Sequence, residues 1–155
     1  MRKNFIIPAC AFLLFWGPHV SFAIMASQCQ DIKYVSSQAT LIVHGQVVDV
    51  RSKREGDGNI YTLVQVKVDE YVRGEGPQPV MIKQFGGQIT ENGQIIQISD
   101  ADTPVFKVGE SGYLYLEQPD TPFYGGRFYA TVCLSGINEF GPPEDPEHAP
   151  LLEEK

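Results

Sequence analysis

NIYTLVQVKVDEYV, residues Asn59 to Val72, is the clearest period-two segment of the chain. Successive side chains of a β-strand point to opposite faces. The alternation therefore sorts Ile60, Val64, Val66, Val68 and Val72 onto one face and Tyr61, Gln65, Lys67 and Asp69 onto the other. A single apolar face on a β-branched strand predicts an antiparallel sheet packed on one side. Just upstream, REGDGNIY brings together Asp57, Gly58 and Asn59, residues that accept the positive φ of a tight hairpin. Beyond that turn lies TLIVHGQVVDV, whose alternation changes phase at Gly45: Leu41 and Val43 share one face, Val48 and Val50 the other. A bulge at Gly45 would return both pairs to one core and bend a long strand around a small barrel.

Downstream, RGEGPQP turns the chain into VMIKQF, a third strand that ends at Gly86-Gly87. GQIIQI is a short strand in an excursion, GESGYLYLEQ follows a glycine turn, and GGRFYATVCLSG pairs with it across PDTPFYGG. Ahead of the sheet, CQDIKYVSSQA carries Ile32 and Val35 at helical spacing behind Asp31, which predicts a short helix. The expected fold is mainly β, a closed or nearly closed five-stranded antiparallel barrel with a short N-terminal helix.

The first 26 residues read as a signal peptide. Arg2 and Lys3 precede an apolar run from Phe5 to Trp16, and Ser21/Ala23 or Ala26 stand where a signal peptidase cleaves. Removal of residues 1–26 takes Cys10 with it and leaves Cys29 and Cys133. An even cysteine count in an exported chain favours a disulfide. A lipid anchor is disfavoured because Ser27 and Gln28 intervene after the apolar run. A nucleophile would need a base, and a metal site several further ligands. The expected location is secreted, periplasmic or extracellular, with no membrane span after cleavage.

The processed chain holds 10 Lys+Arg against 19 Asp+Glu, a net charge of −9, since the lost segment carries two cations and no acid. That charge balance disfavours a surface that tracks phosphates, so nucleic acid and anionic lipid are not expected as partners. GPPEDPEHAPLLEEK, residues 141–155, is rich in proline and acid and reads as a disordered tail. Residues 27–140 then form one domain of about 114 residues, close to the commonest domain size.

The helix, the glycine-broken strand LIVHGQVVDV, the hairpin strand ending in VDEYVRGEG, then GESGYLYL and RFYATVCL together resemble the netrin-like module, the OB-type barrel of the tissue inhibitors of metalloproteinases. The resemblance covers roughly Cys29 to Phe140. It implies that Cys29 near the N-terminus pairs with Cys133 on the last barrel strand, pinning the N-terminal segment to the barrel. The animal inhibitors begin with a cysteine whose amine chelates zinc. Here cleavage after Ala23 or Ala26 leaves residues ahead of Cys29, so that activity is not carried over.

Other candidate sites compete with plainer structural roles. His44 on a β-branched strand is expected to be a packed or rim residue. Gly86-Gly87 lacks the GKS/T and the helix of a phosphate loop. Asp100 and Asp102 in SDADTP could hold a cation, but the spacing is that of an ordinary turn. Asp49, Asp69 and Glu70 have no reason in sequence to pair as acid and base. Among the aromatics Tyr113, Tyr115, Phe123, Tyr124, Phe128 and Tyr129, only Phe123 and Tyr124 fall in a predicted loop, which makes them the candidate binding residues. The expectation is a non-enzymatic binding module without metal or cofactor, whose partner is a protein, an extracellular protease among the candidates. The alternatives are a metalloprotease inhibitor of the tissue-inhibitor type or an accessory domain of an extracellular enzyme system.

Overall fold

The computed structural model describes residues 28–99 and 103–143. The predicted signal peptide, Asp100, Asp102 and residues 144–155 of the predicted tail lie outside the described residues. In chain order the elements are α1 (Ile32–Gln38), β1 (Leu41–Arg54), β2 (Ile60–Arg73), β3 (Val80–Phe85), β4 (Gly87–Glu91), β5 (Gln94–Ile98), β6 (Ser111–Glu117) and β7 (Ala130–Thr131), then a 3-10 turn at Val132–Leu134. Five strands form one antiparallel sheet in the order β3-β2-β1-β6-β7, and β4-β5 is a separate hairpin. The fold is therefore mainly β with one short helix, as expected. Among the described residues the sheet does not close into a barrel through a continuous ladder. Its edge strand β3 meets the segment before β7 at one parallel bridge, Ile82 to Tyr129. There Tyr129 N donates to Met81 O at 2.9 Å and Lys83 N donates to Tyr129 O at 3.0 Å.

The alternation of β2 places Val64, Val66 and Val68 in the main core, with Leu41, Val43, Val47, Val80, Ile82, Phe106, Leu114, Leu116 and Tyr129. β1 serves both neighbours by bending. Its pairing with β2 slips between Ile42 and Val43, between His44 and Gly45, and between Val47 and Asp49. A Cβ on Gly45 would stand 2.6 Å from Lys67 O, so only glycine lets β1 and β2 approach this closely. The expected phase change is present but needs a correction: the slip between Val47 and Asp49 leaves Val48 exposed while Val47 and Val50 face the core.

A second core lies under α1, where Val35, Ala39, Ile42, Tyr115 and Val132 are buried and Ile32, Val72, Cys133 and Phe140 pack around them. Asp31 caps the helix by accepting from Lys33 N at 2.9 Å. At the other end Arg73, the last residue of β2, donates to the carbonyl oxygens of Ser36 and Ala39. Val72 thus belongs to this core and not to the one that holds Val64 to Val68.

The last strand is much shorter than GGRFYATVCLSG suggested. It leaves the ladder after Thr131, because Cys133 and Leu134 both take left-handed φ values, 54° and 55°. Cys133 is bonded to Cys29 across a Cα separation of 5.5 Å, which fastens the segment before α1 to the end of the sheet.

Candidate binding site

On the inner face of the sheet, register sets residues side by side across three strands. Val50, Val64 and Ile82 form one such row of apolar side chains. The next row outward is Ser52, Thr62 and Gln84, where the core gives way to polar groups. Thr62 Oγ1 donates to Gly86 O at 2.8 Å. Its one proton is then committed, so across the 2.9 Å contact Ser52 Oγ is the donor and Thr62 Oγ1 the acceptor. Gln84 is 7 % exposed, and its Nε2 is buried with no hydrogen-bond partner. An unmet buried amide donor costs about 1–3 kcal/mol, which nearly all buried polar groups avoid.

This polar row forms part of the wall of a cavity of about 250 Å³. Val50, Ile98, Pro104 and Phe106 supply apolar wall, and none of the described lining residues is charged. Phe85 and Val105 also line it while remaining 45 % and 81 % exposed, so its mouth presents apolar surface to water. Gly86-Gly87, which lacked the features of a phosphate loop, turns the chain from β3 into β4 beside this row. A Cβ on Gly87 would collide with the hydroxyls of Ser52 and Thr62. The φ of 134° is a further reason for glycine there.

The opposite face of β2 and β3 carries a different cluster. Lys83 is 5 % exposed, and its Nζ lies 2.8 Å from Glu55 Oε2 and donates to Phe123 O at 3.1 Å. The ammonium stands 4.3 Å from the Phe123 ring centre and 4.5 Å from that of Tyr61. Phe123 and Tyr124 are half-buried, their ring centres 4.6 Å apart, and Phe123 also meets Tyr61 at 4.8 Å. The loop that holds them lies over Tyr61, which is buried although alternation assigned it to the polar face. The Lys83 ammonium, helped by Lys53, holds the Glu55 carboxyl below its ordinary pKa. The Tyr61 hydroxyl does the same for Asp57. Burial raises the Tyr124 phenol, with the Glu117 charge adding to the effect.

His44 is separate from both clusters. Its Nδ1 lies 3.9 Å from Asp69 Oδ2 and its ring stacks edge-on against Tyr113 at 4.9 Å, on a half-exposed part of the sheet. Asp49 pairs with Arg51 at 2.6 Å. Among the described residues no three His, Cys, Asp or Glu side chains gather as a metal site, and no helix is long and apolar enough to cross a membrane.

The cavity was not anticipated from sequence, although Thr62 interrupts the apolar series between Ile60 and Val64. That break was the available signal. The fold and site define a small disulfide-stapled β-sheet domain with an apolar-mouthed cavity among its described residues. No protein-family model matches the chain, and no curated protein is significantly similar to it.

Proposed function

We propose that the chain is an exported, non-enzymatic binding module on a netrin-like, OB-type barrel, and that it receives a protein partner at the cavity mouth. The strand order β3-β2-β1-β6-β7 and the parallel bridge between Ile82 and Tyr129 support the barrel reading, since a parallel contact between first and last strands of this order is what closure of the sheet requires. The Cys29–Cys133 bridge suits an oxidising compartment. The observation that carries the function is the pair Phe85 and Val105, large apolar side chains left exposed on either part of a concave opening. Such a rim stabilises a complex by burying those groups against a partner.

The test is capture from the native extracellular fraction by immobilised processed protein, compared with Phe85→Ser and Val105→Asp. The expected result is a protein retained by the wild type and lost by both variants, whose melting temperatures stay near that of the wild type. Equal retention by all three would refute the assignment of the mouth, and turnover of a substrate by the isolated protein would refute the non-enzymatic reading.

A further inference from the structure

Resting on the reading of the chain as a binding module, we infer that the cavity beside Gln84 is a site for one neutral phenolic ring. Three properties of the wall select that group. First, a cavity of about 250 Å³ is larger than the roughly 150 Å³ that holds benzene in an apolar protein interior, so a ring with a short substituent fits. Second, the described lining is uncharged and its exposed area is largely apolar, with Val50, Ile98, Pro104 and Phe106 among the residues that border the cavity. An anion or ammonium would lose its hydration there and find no counter-charge among the described lining residues. Third, the polar row has an unmet requirement of a specific kind. Gln84 Nε2 needs an acceptor, while Ser52 Oγ has given its own proton to Thr62 and retains acceptor capacity.

A hydrocarbon ring would leave the Gln84 amide unpaired. An indole N–H could donate to Ser52 but could accept nothing from Gln84. A phenol oxygen accepts from Gln84 and donates to Ser52, meeting both needs with one atom while its ring fills the apolar part. Because it both donates and accepts, the phenol meets the Gln84 amide in either flipped orientation.

The phenol can come from a free small molecule or from a tyrosine side chain of a partner. Both share this chemistry, and probes separate them. In amide-resolved NMR of the processed protein, p-cresol should shift the Gln84 side-chain amide and the backbone amides of Ser52, Thr62 and Val105 saturably. Toluene should bind about tenfold more weakly, the difference expected of one net hydrogen bond. 4-Methylbenzoate should not bind. Gln84→Met keeps the volume and removes the donor, so it should bring p-cresol down to the affinity of toluene. N-acetyl-tyrosinamide binding alongside p-cresol identifies a tyrosyl partner, and p-cresol alone identifies a free phenol.

The inference is overturned if p-cresol binds no better than toluene to the wild type, a comparison that requires no variant to fold. It is overturned equally if 4-methylcyclohexanol matches p-cresol, or if Gln84→Met binds p-cresol undiminished. If p-cresol leaves all these amides unmoved while Val105→Asp still loses the captured protein, the binding module stands and the phenolic site does not. Cresol binding without any captured protein gives the reverse.

Discussion

Lys83 is nearly buried, and its immediate surroundings determine how far that destabilises the fold. Glu55 pairs with it at 2.8 Å, and the faces of Tyr61 and Phe123 lie within cation–π distance. Removing the ammonium leaves Glu55 with Lys53 at 3.1 Å, so no isolated charge results. Lys83→Met should therefore cost about 2 kcal/mol at neutral pH, the scale of a desolvated cation–π contact. Lys83→Ala, which also empties the space under Phe123, should cost about 2–4 kcal/mol by denaturant unfolding. The pH dependence has a definite sign. Glu55 is held below its ordinary value, so the folded chain binds fewer protons than the unfolded one between the two values. Its stabilising effect is complete above the ordinary glutamate value and is lost as pH falls through the lowered one. Denaturation midpoints measured down through the acid range should fall less steeply in Lys83→Met than in the wild type. Parallel curves would show that the pair is not what depresses Glu55.

At the scale of elements, β2 tests how side chains are sorted by the sheet. Val66 is fully buried and Lys67 exposed, although they are neighbours in sequence. Val66→Ala should cost about 1–3 kcal/mol and Lys67→Ala less than about 0.5 in denaturant titrations. Similar losses at both would contradict the facing. Gly45→Ala should cost about 1–3 kcal/mol, since the added methyl meets the Lys67 carbonyl, which belongs to the backbone and cannot rotate away.

The central strands were legible because their period of two expresses one buried face over many residues. What escaped has identifiable causes. Tyr61 is buried by a loop that returns from some sixty residues away in sequence, which local alternation does not register. Val48 faces solvent because the slip in pairing falls beside it and not at Gly45 alone. β4 and β5 meet at Asn92-Gly93, both with positive φ, and that dipeptide was a hairpin signal available in the sequence. The cavity needed register across β1, β2 and β3, because Ser52, Thr62 and Gln84 become neighbours only once the strands pair.

At the scale of the whole molecule, two cores share one sheet and are held by different means. The main core is formed by long ladders among β1, β2, β3 and β6, whereas the core under α1 depends on a seven-residue helix that touches the sheet through few side chains. Two fastenings compensate: Arg73 on the C-terminal carbonyls of α1, and the bridge between Cys29 and Cys133 across 104 residues of sequence. In the chain-entropy account a loop of that length gives about 4–5 kcal/mol, because the cross-link restricts the unfolded chain. Replacing both cysteines by serine should lower stability by up to that amount. The loss should not fall evenly on hydrogen exchange. The amides of α1, Val35 included, should lose protection through local opening, while Val64 and Val66 should exchange only through global unfolding. A loss under about 1 kcal/mol with α1 still protected would show that Arg73 and the packing of Val35 hold the helix without the bridge. Restriction of the unfolded chain by the cross-link would then contribute far less than the chain-entropy account gives.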